Sequence, residues 1–202
     1  MNKIIAFERR MGGRWTGITF HAETPTDSRV ADRPMHFCDA VALSSTSNLI
    51  LTPEHVNCPG AKLSFGWQDG NGSAYLKKMV QFTGLTPEVA KSLLDDTPKI
   101  KKGMISAVTI GDYDSPDILI SYLQPEAAMR FVLLWQRANH KVLDVSLSSV
   151  MAVCGNVAAA AYKTQSVCCS FGCPESRRHG HIGRDRLIIG VPTGIIKESG
   201  LI

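Results

Sequence analysis

Four of the six cysteines fall into two matching segments. The first reads Phe37-Cys38-Asp39-Ala40-Val41-Ala42-Leu43 and continues to Asn57-Cys58-Pro59-Gly60-Ala61. The second reads Val153-Cys154-Gly155-Asn156-Val157-Ala158-Ala159 and continues to Gly172-Cys173-Pro174-Glu175-Ser176. The paired cysteines lie 20 residues apart in one copy (38 to 58) and 19 in the other (154 to 173). In each copy an apolar lead meets a cysteine that opens a run of small residues suited to a closely packed helix, and the second cysteine precedes a proline. Proline fits the first helical position, which leaves Cys58 and Cys173 near N-caps. A cysteine there faces unsatisfied backbone N–H groups and the positive end of the helix dipole, and both favour the thiolate. If the two copies pack about a pseudo-twofold axis, four thiols converge on one pocket. The competing reading is that these cysteines are small buried hydrophobes.

The residues that follow Cys173 add charge. Arg177, Arg178, Arg184 and Arg186 lie within ten residues, together with His179 and His181. A guanidinium fork matches carboxylate or phosphate oxygens, and Arg177 lies one turn from Cys173, where it would reinforce an anion site. Arg178, Arg184 and Arg186 read as a solvated basic face. His179 and His181 are candidate metal ligands or acid–base groups, although a Gly-flanked loop is also an ordinary surface setting for histidine. Vicinal Cys168-Cys169 is a candidate to extend the site or donate a second thiolate, and the favoured reading for one of the two is a strand whose side chains alternate between faces. There is no C-x2-C zinc pattern, no short-spaced ferredoxin pattern, no phosphate loop, no G-x-S-x-G elbow and no H-E-x-x-H.

These candidates need elements to hold them. Strands are expected at Trp15 to His21, Leu49 to Leu51, Met104 to Ile110, Ile118 to Leu123 and Leu187 to Val191, with strand-like material from Val142 to Val153. Helices are expected after Cys38, at Ala74 to Phe82, from Thr86-Pro87 to about Leu94, at Pro125 to Asn139 and at Gly155 to Tyr162. Asp69-Gly70-Asn71-Gly72-Ser73 and Gly111-Asp112-Tyr113-Asp114-Ser115-Pro116 read as turns. Strands interleaved with helices, and no biased linker, predict a single α/β or α+β domain over residues 1–202. The duplicated motif predicts two pseudo-symmetric strand–Cys–helix halves within it.

Composition agrees with that picture. At 202 residues and 44% hydrophobic, the chain can bury a core unaided, which excludes disordered and fibrous classes. No run of about 18 uncharged apolar residues exists, so no membrane-spanning helix is expected. Met1 to Arg14 lacks the apolar centre of a secretory signal, and a cytoplasmic setting follows as the expectation. In a reducing compartment the thiols read as free, metal-bound or catalytic. A formal charge of +4, from 22 basic and 18 acidic residues, is too small to argue for nucleic acid.

The ordered set Phe37-Cys38, Cys58-Pro59-Gly60-Ala61, Ser115-Pro116-Asp117-Ile118-Leu119-Ile120, Gly172-Cys173-Pro174-Glu175-Ser176-Arg177 and Ile189-Gly190-Val191-Pro192 resembles the uncharacterised domain-of-unknown-function family 169. The similarity spans about Trp15 to Pro192. It implies one α/β domain in a cytoplasmic, archaeal or anaerobic-bacterial setting, and it brings no settled activity. Cys168-Cys169 departs from the family's pattern.

Three functions follow as expectations. The leading one is a binding or accessory protein for a metal, an iron–sulfur cluster or an anionic metal-bearing cofactor. In it Cys38, Cys58, Cys154 and Cys173 supply thiolates and Arg177 holds an anionic group. The alternative is a thiol-dependent enzyme acting on a small carboxylated or phosphorylated substrate, with Cys173 or Cys154 as nucleophile and His179 or His181 as acid–base. The third is an interaction module with core cysteines. The expected partner is a small anionic cofactor or a metal, with no membrane and no nucleic acid, and a second copy of the chain is compatible with a domain of this size.

Overall fold

The computed structural model describes residues 7–8, 11–26, 30–44, 48–68, 72–111 and 115–198. Much of the N-terminal segment Met1 to Arg14 and parts of the turns at 69–73 and 111–116 lie outside the described residues. The chain builds a single α+β domain on a six-stranded antiparallel sheet. The elements are β1 (Thr16–His21), α1 (Phe37–Leu43), β2 (Leu49–Leu51), a 3-10 turn (Pro53–His55), α2 (Pro59–Ser64), α3 (Ser73–Thr83), α4 (Pro87–Asp96) and β3 (Ala107–Gly111). After them come β4 (Ile118–Leu123), α5 (Pro125–Asn139), a π-helix (Ala152–Ala159) running into α6 (Ala160–Thr164), β5 (Cys168–Ser170), α7 (Pro174–His179), β6 (Leu187–Pro192) and α8 (Thr193–Glu198).

The strand order β2-β3-β1-β4-β6-β5 has a pseudo-twofold axis between β1 and β4. The register obeys it. Ile18 of β1 pairs with Ile110 and Leu49 with Ile110, while Ile120 of β4 pairs with Gly190 and Cys168 with Gly190. Each half is a strand, a cysteine-bearing helix, a short edge strand, a cysteine-capped helix and a middle strand. The helices also exchange partners across the axis: α1 packs on α7, and α2 packs on the π-helix. The duplicated motif is therefore a structural repeat.

Alternation along the central strands divides the sheet's faces. Ile118, Ile120 and Tyr122 of β4 pack into the core under the cysteine helices, whereas Leu119 and Leu123 join Trp15, Phe131 and Trp135 beneath α5 on the other face. The periodic apolar residues of α5, its first-position Pro125 and its left-handed C-cap at His140 give the helix the expected bounds. Thr86 caps α4, its side chain accepting from the Val89 N–H.

Two expectations need correction. Residues 142–150 form no strand; the chain turns through left-handed Met151 and enters a helix already at Ala152. That helix is a π-helix, in which the Asn156 N–H donates to the Met151 carbonyl at 3.0 Å, five residues back. The strand-like residues of 142–149 are largely exposed, with Val142 77% and Leu147 54% accessible, whereas 152–155 and 157–159 are buried all round, which removes the periodicity that would mark a helix. The third strand also starts later than expected, at Ala107.

Candidate functional site

Cys58 and Cys173 occupy the N-caps of α2 and α7, each with proline at the next position. Cys38 lies in the first turn of α1, one residue inside it, since His36 is the N-cap. Cys154 lies in the first turn of the π-helix. Because the four helices cross-pack about the pseudo-axis, these four cysteines line one cavity of about 400 Å³. Cys38, Cys154 and Cys173 are only 7%, 7% and 8% exposed, and Cys58 is half-buried. All six cysteines are free thiols.

The thiols are electrostatically unequal. Cys58 is held well below the ordinary thiol range, first by a hydrogen bond from the Cys154 thiol and then by one from His36. The Ala61 N–H of the helix start also favours the Cys58 thiolate. Cys154 is pushed well up, because its proton is the one shared with Cys58 and because it is buried. Burial, with the charges of Cys58 and Cys173 nearby, drives Cys38 up as well. His36 is raised by its bond to Cys58. Cys58 and His36 thus share a hydrogen bond in the cavity wall that favours the thiolate on the one and the protonated form on the other.

Cys173 is engaged differently. The Ser176 N–H donates to its Sγ at 3.3 Å, and the Cys173 N–H donates to Ser176 Oγ at 2.8 Å, closing a capping box. Helix α3 forms a further wall through Tyr75, Lys78 and Phe82, spaced to share one helix face, with Gln81 beside them. The Tyr75 ring sits against Gly60, where an added Cβ would lie 3.3 Å from its hydroxyl. Lys78 and Arg178 bring positive charge to the cavity and Glu175 brings negative charge.

The remaining candidates are distributed otherwise than the sequence suggests. Arg177 turns away from the cavity, and its guanidinium donates to the carbonyls of Phe171, Gly183 and, at 2.8 Å, Arg186. It clamps the loop after α7 and has no donor directed at a ligand there, while its neighbour Arg178 lines the cavity. His179 stacks on His36, with ring centroids 4.1 Å apart. His181 is exposed beside Asp39, at 3.4 Å. Cys168 packs on the cysteine-side core and Cys169 on the opposite core, as strand alternation requires. Cys168 is also the repeat equivalent of Leu49, which fits a packing role. His36, Tyr75, Lys78 and Glu175 were not legible as site residues, except that His36 precedes the first cysteine motif by one residue.

The family model DUF169, described as uncharacterised ArCR, matches residues 15–199. The chain belongs to this family. The match covers both halves of the repeat and all four cavity cysteines, so the whole site lies within the family domain. No curated protein and no solved structure matches the chain. Among the described residues no helix is long and apolar enough to cross a membrane.

Proposed function

We propose that this protein binds a soft or borderline metal centre, either a metal ion, an iron–sulfur cluster or an anionic metal-bearing cofactor, through Cys38, Cys58, Cys154 and Cys173. The observation that carries this reading is that two cysteines from each half open on a single cavity of about 400 Å³. The donor chemistry fits. Thiolates select iron–sulfur clusters, zinc and copper(I) over hard cations. Clustered thiols cannot all ionise alone, since each anion opposes the next, and Cys38 and Cys154 are held protonated partly for that reason. A cation between them would reverse the balance and release their protons. Lys78 and Arg178 suit an anionic group on the same ligand better than Arg177 does. Anaerobic reconstitution with iron and sulfide, and separately with zinc, followed by metal analysis and absorption spectra, tests the reading. Bound metal that is lost in C38S/C58S/C154S/C173S is the expected result. A folded wild-type chain that retains neither metal nor chromophore would sink it.

A second reading has its own support in the Cys58–His36 pair. In a thiol-dependent enzyme acting on a small carboxylated or phosphorylated substrate, Cys58 would be the nucleophile and His36 the acid, with Lys78 and Arg178 holding the anion. This pair is a better candidate than Cys173 or Cys154 with His179 or His181, because a hydrogen bond joins Cys58 to His36 and the Cys154 thiol is a donor to Cys58. A single fast-alkylating thiol at Cys58, with no metal retained, would favour it.

A further inference from the structure

We infer that His36, Glu175 and His179 form a second site, for a borderline divalent first-row transition-metal ion, at the edge of the cysteine cavity. One ligand atom from each lies within 4.8 Å of the other two. Glu175 and His179 are four residues apart on α7 and project from one face of it, with His179 Nε2 3.4 Å from Glu175 Oε2. His36 comes from the other half of the repeat. It caps α1 without using its side chain in the cap, and its ring lies against that of His179 at an interplanar angle of 19°. Packing of α1 on α7 brings the three groups together.

An independent observation points to a ligand. His36 Nδ1 is buried and has no hydrogen-bond partner among the described residues. An imidazole nitrogen shut off from water without a partner loses free energy, and a metal ion would satisfy it. Ligation at the roughly 2.0–2.2 Å typical of imidazole and carboxylate requires the two stacked rings to turn out of their near-parallel arrangement, so that both in-plane lone pairs converge on one ion.

The donor set fixes the class of ion. Two imidazoles and one carboxylate suit zinc, iron(II), cobalt or nickel and leave coordination positions free. His36 and Glu175 also line the cysteine cavity, so those free positions would face the thiols. This inference goes beyond the thiolate reading, and the two sites differ in the softness of the ion they prefer. The competing account is an ordinary helix-surface Glu–His pair beside a stacked histidine.

Anaerobic titration with Co²⁺ separates the possibilities, because thiolate ligation gives intense sulfur-to-cobalt charge-transfer bands and imidazole–carboxylate ligation gives only weak d–d bands. The variant C38S/C58S/C154S/C173S is expected to bind Co²⁺ with weak d–d bands alone. Adding H179A or E175Q to it is expected to weaken binding by at least roughly the tenfold that loss of even an outer partner costs. A folded four-serine variant that takes up no Co²⁺, or binding equally tight with H179A and E175Q, overturns the inference. If the four-serine variant does not fold, H179A and E175Q are placed in the otherwise wild-type chain. Loss of the weak component with any thiolate band retained then supports the site, and an unchanged titration overturns it. Failure of the thiolate reading appears separately, as a wild-type chain without charge-transfer bands.

Discussion

The two halves of the sheet are superimposable in topology and register, yet their cysteines are chemically different. In the first half Cys58 accepts from the Cys154 thiol and from His36, which favour its thiolate; in the second its equivalent, Cys173, accepts the Ser176 N–H within a closed capping box. The cause lies in a few substitutions between the repeats. The position two before the helix-opening cysteine is His36 in one half and Ala152 in the other. The third helical residue after the capping cysteine is Ala61 in one and Ser176 in the other, so only the second half can close a capping box. The residue after the helix-opening cysteine is Asp39 in one and Gly155 in the other. A repeated fold thus supplies four positions around an axis, and local side chains then assign them separate roles.

Exchanging residues between the halves breaks this comparison in a graded way. The largest effect is expected from Gly155→Asp, which copies Asp39 into the second half. An added Cβ at Gly155 would lie 2.5 Å from Thr97 Cγ2 and 3.0 Å from Met151 Cβ. Overpacking of about 1–3 kcal/mol adds to the cost of burying a carboxylate without a partner. Thermal melts should show the variant losing at least about 3 kcal/mol, and a melting temperature within experimental error of wild type would refute the tight packing of Gly155 against Thr97 and Met151.

His36→Ala copies Ala152 and removes the charge asymmetry. In the metal-free protein Cys58 is expected to be the fastest-alkylating thiol, with its iodoacetamide reaction persisting below the roughly 8.5 of an ordinary cysteine. Without His36 the midpoint of the rate–pH profile should move upward, and the rate at neutral pH should fall by up to about tenfold. The shift is expected to be partial, because the hydrogen bond from Cys154 remains. A profile that does not move would remove His36 from the pair.

Ser176→Ala copies Ala61. It deletes the capping box and leaves the buried Cys173 N–H without its acceptor, at about 1 kcal/mol by analogy with other N-caps. That corresponds to a fall in Tm of roughly 2–4 °C for a chain of this size. An effect of similar size belongs to Tyr122→Phe, which copies Phe20, the equivalent residue of β1. Tyr122 donates to the Cys38 carbonyl at 3.1 Å, a link between the halves contributing about 0.5–1.5 kcal/mol. Denaturant unfolding that leaves the midpoint unchanged would show this bond to be dispensable.

Much of the site was legible because the signals were local. Proline after Cys58 and Cys173 marks a helix start whatever surrounds it, and the duplicated motif announces a repeat whose symmetry brings the second pair of cysteines to the first. Strand β4 and helix α5 had the expected bounds because their patterns report one buried face each. The helix expected at Gly155 to Tyr162 is present, but its start at Ala152 and its π form were not legible, since burial on nearly every side erases the amphipathic period. Which of Arg177 and Arg178 lines the cavity was not legible, because adjacent residues on a short helix project about 100° apart and only the packing of α7 decides it.

The sequence alone determined two cysteine pairs, their helix starts and a sheet built from two similar halves, because capping, turn chemistry and apolar spacing act over a few residues. Tertiary structure alone decided that Cys58 is the cysteine whose thiolate is favoured, that His36 bonds to it, that α3 walls the cavity and that His36 meets Glu175 and His179. Those outcomes depend on distances between segments remote in sequence, and electrostatic and hydrogen-bond energies change steeply over the few ångströms that packing sets.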